Sequence, residues 1–160
     1  MVKVTLKDGS VKEYKKGTTV EEIVASIGSG LLKAALAAKL NGKVADLRTP
    51  VNEDCSLEVL TFDDDDGKWA LRHTGSHILA QAVKRLYPDA KLAIGPAIDT
   101  GFYYDIDSDK SFSEEDLAAI EKEMENIVKE DLRLERFELP RSEALDLMGK
   151  MGESYKVELI

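Results

Sequence analysis

An α+β fold is predicted for this chain on three observations. Apolar residues near the amino end alternate strictly and are interrupted by Asp8-Gly9 and Asn41-Gly42, the pattern of short hairpin strands. From Leu71 to Leu86 the apolar period becomes three to four, the pattern of a long helix, and this helix carries the only two histidines. Four consecutive aspartates, Asp63 to Asp66, separate these regions and divide the chain into residues 1–62 and 63–160.

Val2, Val4 and Leu6 alternate with Lys3, Thr5 and Lys7, and Val11 to Tyr14 return after the Asp8-Gly9 turn. Thr18 and Thr19 offer hydroxyl caps to a helix spaced by Val20, Ile23, Val24 and Ile27, with acids in its first turn and Gly28 at its close. Ala34 to Leu40 and Lys43 to Asp46 flank Asn41-Gly42 as a second hairpin, and Leu57 to Thr61 forms one more strand. The order β-β-α-β-β-β suits one helix packed across a small mixed sheet, as in ubiquitin-like β-grasp modules. This unit has no histidine, no Gly-rich phosphate loop and no telling pair of carboxylates. It is either a recognition module or a spacer, and fold alone decides neither.

The four aspartates repel one another and resist packing, yet they complement the positive amino end of the helix that follows. A calcium loop would need alternating ligands and a turn glycine at set positions. The helix is expected to start near Lys68 and to end at Tyr87-Pro88-Asp89. On a helical wheel His77 falls close beside His73, while Leu71, Ile78, Leu79, Ala82 and Leu86 gather on the opposite side as a buried stripe.

Lys91 to Ile94 and Gly101 to Asp105 are expected as strands on either side of Gly95-Pro96, with Phe102, Tyr104 and Ile106 on one face. Ser113 and Asp116 form a capping signature ahead of Leu117, Ile120, Met124, Ile127 and Val128, a helix reaching Glu130. Leu132, Leu134 and Phe137 suggest a strand, Arg141 to Lys150 a short helix, and Tyr155 to Ile160 a final strand. Stopping inside an apolar run, the chain reads as cut from something longer, with exposed apolar surface and an unpaired strand edge expected there.

Composition narrows the classes. The 160 residues, 43% hydrophobic and 33% charged, suffice for one medium domain or two small ones. No run approaches 18 apolar residues and the amino end lacks a secretion-signal core, so a soluble, cytoplasmic chain without a membrane partner is expected. The lone Cys55 cannot form an internal disulfide, fits a reducing compartment and reads as a small residue starting a strand. The net charge of −9 is uneven: +1 over residues 1–62 and −10 over residues 63–160. Such acidity argues against broad attachment to DNA or RNA through phosphate contacts, but leaves a local site open.

His73 and His77, one helical turn apart, can converge on a metal, a water or a substrate atom. The same spacing suits two solvated surface residues, and periodicity admits both. The zinc-protease pattern H-E-x-x-H fails because Thr74 occupies the glutamate position. No metal site is expected, since zinc takes three or four protein ligands and two are visible.

Together, RHTGSHILAQAVKRLYPDAKLAIGPAIDTGFYYDID and GESYKVELI resemble the amino-terminal region of the bacterial threonyl-tRNA synthetase family, over essentially the whole chain. The resemblance implies a TGS domain of β-grasp fold over residues 1–62. Over residues 63–160 it implies a truncated first part of the editing domain, which hydrolyses serine mischarged onto threonine tRNA. It implies catalytic roles for His73, His77 and Lys156, and places Gly95, Pro96 and Tyr104 in pocket walls near the terminal adenosine and seryl group. Such a pocket has a chemical rationale: a threonine site cannot exclude the smaller serine by binding alone. Hydrolysis of the ester needs a positioned water and a proton for the departing ribose oxygen, which imidazoles and an ammonium group can organise.

The family continues into an acidic, cysteine- and histidine-bearing segment that completes the pocket, and then a class II core and an anticodon-binding domain. Neither lies in this chain, and Cys55 belongs to the first module. The resemblance therefore implies no cofactor here, ATP, magnesium and zinc in the core of the whole enzyme, threonine-specific tRNA as partner, and a homodimer at full length. The isolated chain is expected to hold half an editing site without activity. The alternative is a freestanding TGS-containing binding module without hydrolysis, whose binding would survive replacement of both histidines by alanine.

Overall fold

In the computed structural model, which describes residues 1–160, strand β1 (Val2–Leu6) pairs antiparallel with β2 (Val11–Tyr14), joined through Gly9 at φ +82°. A two-residue strand, β3 (Thr18–Thr19), leads into helix α1 (Val20–Ile27). Thr19 caps this helix reciprocally: its hydroxyl accepts from Glu22 N, and its own N–H donates to the Glu22 carboxylate. A short helix, α2 (Ser29–Ala34), precedes β4 (Ala37–Leu40) and β5 (Lys43–Ala45), whose turn holds Asn41 at φ +50° and Gly42 at φ +78°. Two positive angles in succession match the twist of a two-residue hairpin. Strands β6 (Pro50–Val51) and β7 (Cys55–Leu60) follow, β6 pairing with β3.

The five-stranded sheet has the order β2-β1-β7-β4-β5, with β1 and β7 parallel and the other pairs antiparallel. Inward-facing Val2, Val4, Ala38 and Leu57 meet Val20, Ile23 and Val24 of α1, all buried. This is the β-grasp arrangement expected for the region. Each fully buried aliphatic side chain contributes about 1.5–3 kcal/mol, and truncating the fully enclosed Ile23 to alanine would cost about 2–5 kcal/mol.

Helix α3 (Asp65–Leu86) starts three residues earlier than expected. Asp64 secures the turn before it, its carboxylate accepting from Thr61 N at 2.8 Å and from the Thr61 hydroxyl at 3.2 Å. Within the aspartate run, Asp65 and Asp66 occupy the first helical turn, where they oppose the positive helix end. The chain divides into two compact units, Met1–Leu71 and Arg72–Ile160, so α3 begins in the first and continues into the second.

In the second unit, Ala82 and Val83 of α3 pack with Ala90 and with Ile120 and Ile127 of α4 (Glu114–Glu130). Between these helices lie the two-residue strands β8 (Lys91–Leu92), β9 (Ala97–Ile98), β10 (Gly101–Phe102) and β11 (Ile106–Asp107), paired β9 with β10 and β8 with β11. The expected alternation persists although the ladder is broken: Phe102, Tyr104 and Ile106 are half-buried, whereas Tyr103, Asp105 and Asp107 are exposed. Ser113 and Asp116 form the second reciprocal cap, and Arg85 of α3 reaches Glu123 and Glu130 of α4. Helices α5 (Arg141–Lys150) and α6 (Ser154–Leu159) complete the unit. No helix is long and apolar enough to cross a membrane.

Four expectations need correction. Tyr155 to Ile160 lie in and just beyond α6 rather than in a strand, so no unpaired strand edge exists there and Lys156 sits on a helix. Residues 132–137 form no strand; no neighbouring strand pairs with them, and Leu132, Leu134 and Phe137 are exposed. The second hairpin opens at Ala37, because Ala34 ends α2. Leu71 and Leu86, assigned to the buried stripe, lie outside the packed centre of α3 and are exposed.

Candidate active site

The imidazoles of His73 and His77 meet on one face of α3, their Nε2 atoms 3.1 Å apart and their rings edge to face at 4.6 Å between centroids. Helical rise brings residues four apart into register, so this contact follows directly from the spacing. One ring must donate and the other accept, so the two facing nitrogens share a single proton. Ser76, fully buried in the same turn, donates its hydroxyl to the His73 carbonyl at 2.7 Å.

Desolvation holds His77 below the ordinary imidazole value of 6.5, and electrostatic interaction with His73 and then with Lys156 pushes the same way. A depressed value keeps His77 neutral at pH 7 and able to accept a proton. Lys156 of α6 is among the charges that act on His77. All three residues expected to be catalytic belong to the second unit.

Gly95 and Tyr104 also come together: a Cβ at Gly95 would stand 2.1 Å from Tyr104 Cδ2, so only glycine admits the ring. Pro96 is half-buried in the same loop. Sequence reasoning missed a contact between α3 and the neighbouring β10 strand, made on the face of α3 opposite the histidines. Gly75, between them on α3, lies against Phe102, whose Cε1 would be 3.1 Å from an added Cβ. The available signal was a glycine inside a helix, which is costly without a packing reason. Arg72 fixes the next loop, its guanidinium donating to the carbonyls of Ile98 and Asp99.

A cavity of about 300 Å³ opens beside His77, lined by Thr74 and Gln81 of α3 and by Val128, Leu132 and Leu134. Gly95, Pro96 and Tyr104 do not line it. No group of three or more His, Cys, Asp and Glu residues is placed to hold a metal. Burial and the neighbouring Asp54 and Glu53 raise the Cys55 thiol, which disfavours the reactive thiolate.

The fold and the site define a β-grasp domain followed by an α/β unit that presents a proton-sharing imidazole pair. The first of these is a TGS domain, the family model of that description matching residues 2–61. Along its whole length the chain matches the N-terminal region of threonine–tRNA ligase. It is 64% identical over 160 residues to the threonine–tRNA ligase of Clostridium acetobutylicum, 62% to that of Acetivibrio thermocellus and 61% to that of Clostridium botulinum. All of this chain is covered in each comparison, and it spans 25% of the length of each relative.

Proposed function

We propose that this chain serves a threonine–tRNA ligase as its proofreading region, residues 63–160 forming the first part of an editing domain that hydrolyses serine mischarged onto threonine tRNA. The observation that carries the reading is the 3.1 Å contact between His73 and His77 in a chain 64% identical to a named threonine–tRNA ligase. Water attacks the seryl carbonyl carbon, the ester bond to the ribose breaks, and the ribose oxygen takes up a proton as it leaves. Neutral His77 accepts the proton of the attacking water on its other ring nitrogen, and the proton already held in the Nε2 contact shifts toward His73 to spread the charge. The pair then gives a proton back to the departing ribose oxygen, and the Lys156 ammonium opposes the negative charge developing on the carbonyl oxygen. Gly95, Pro96 and Tyr104 form a wall toward the terminal adenosine.

The rest of the pocket and the class II core belong to the portion of the relatives that this chain does not span. ATP, magnesium and zinc are assigned there on the resemblance of the chain to the ligase family. Threonine-specific tRNA is the partner, and the working protein is a cytoplasmic homodimer. By this reading the isolated chain does not turn over.

The test measures release of serine from threonine tRNA by this chain and by the full-length protein, each with His73→Ala and His77→Ala counterparts. Hydrolysis confined to the full-length protein and lost in both variants is expected. Robust turnover by the short chain contradicts the half-site. Unchanged hydrolysis in the full-length variants, with tRNA binding intact, would instead favour a TGS binding module.

A further inference from the structure

On α3, seven residues beyond His77 and eleven beyond His73, Lys84 falls between the two histidines when the helix is viewed down its axis. Its ammonium donates to the carbonyls of Pro88 and Ala90, both at 2.9 Å, and pairs with Glu153 Oε1 at 3.3 Å. Glu153 opens α6: its carbonyl accepts from Lys156 N and Val157 N, both at 3.1 Å. Only 4% of Glu153 is exposed, and its Oε2 has no hydrogen-bond partner. A buried carboxylate satisfied on one oxygen is a poor source of stability, since desolvation offsets most of the attraction of the pair.

We propose that the Lys84–Glu153 pair is a positioning device, which registers α6 along the imidazole face of α3 so that Lys156 stands beside His77. The geometry is that of two rods pinned at one point. Lys84 lies about 10.5 Å along the α3 axis from His77, and Lys156 lies one turn beyond Glu153 on α6. Two other ties, from Tyr155 of α6 to Asp107 at 2.9 Å and from Arg141 to the carbonyl of Ile160 just past α6 at 3.0 Å, reach β11 and α5. The Lys84–Glu153 pair, by contrast, joins α6 to the helix that carries the histidines.

The inference rests on Lys156 being part of the hydrolytic site, but its test does not depend on hydrolysis. In the 160-residue chain, the titration midpoint of His77 is followed through its imidazole nitrogen resonances. Lys156→Met is expected to raise that midpoint by removing a nearby cation. Glu153→Gln is expected to raise it too, because α6 is released. The sign is diagnostic, since loss of an anion acting directly on His77 would lower it. Lys84→Met combined with Glu153→Met leaves no stranded charge, and apolar replacement of a buried pair is commonly neutral or stabilising; this double variant is expected to show the same rise. A wild-type midpoint in the double variant, or no response to Lys156→Met, overturns the proposal. Loss of seryl-tRNA hydrolysis alone does not bear on it, so failure of the pin and failure of the proofreading reading are separable.

Discussion

The ring of Tyr104 lies across Gly95, so close that a methyl group on the glycine would stand 2.1 Å from Cδ2 and 2.3 Å from Cε2. Gly95→Ala must expel the ring and is expected to destabilise the second unit by about 1–3 kcal/mol. Combining it with Tyr104→Ala should cost less than the two changes summed. Denaturant titration of the four proteins measures that coupling. Strict additivity would mean that the ring and the glycine do not meet in solution.

The depressed imidazole of His77 ties stability to pH. Between its folded value and the ordinary 6.5, the unfolded chain binds more protons, so stability rises with pH there. The folded state thus carries no penalty from this group above about pH 6.5, loses stability as pH falls toward the lower folded value, and loses no more below it. Thermal unfolding of wild type and His77→Asn between pH 5 and pH 8 checks this: the variant should show a shallower decline in acid. Parallel curves would remove His77 as the source.

Two helix glycines should respond to alanine with opposite signs. At Gly67 a Cβ would meet the Thr61 backbone oxygen at 2.0 Å, an atom that cannot swing aside, so Gly67→Ala should cost about 2 kcal/mol or more. Nothing lies within 4 Å of the same position at Gly149, and Gly149→Ala should stabilise by about 0.5–1 kcal/mol. Midpoints of urea unfolding decide both.

Residues 131–140 are exposed throughout and include Leu132, Leu134 and Phe137 outside any helix or strand. Brief chymotrypsin digestion should cut first in this stretch, well before the aromatic residues of the second core, Tyr87 and Phe112. Mass spectrometry of the early fragments gives the answer, and initial cleavage at Tyr87 or Phe112 would contradict it.

Much of the architecture was legible wherever local chemistry and tertiary context agree. Asn41-Gly42 and both capping pairs, Thr19 with Glu22 and Ser113 with Asp116, specify turns and helix starts by their own hydrogen bonds. The β-grasp fold was legible in the order of these elements, and the TGS domain in the resemblance of the chain to its family. Short segments were not. Tyr155 to Ile160 alternate apolar and polar residues as a strand would, yet six residues also make a helix once Glu153 opens it and Lys84 holds it. Leu132 to Phe137 carry strand-forming side chains but find no ladder to join. Ser29 to Ala34, containing Gly30, is too short for periodicity to mark as a helix.

The candidate site divided in the same way. Four-residue spacing alone placed His73 over His77, whereas the Lys84–Glu153 contact depends on a segment remote in sequence. Lys156 came near His77 on a helix, although its segment had read as a strand.

The parallel pairing of β1 with β7 sets Val4 beside Cys55, bringing opposite ends of the TGS domain together at the middle of its sheet. During vectorial synthesis the nascent β1–β2 hairpin therefore waits, the outer edge of β1 unpaired, until β7 clears the ribosomal tunnel. A ribosome stalled shortly before Cys55 would therefore display a strand edge open to any extended chain that meets it.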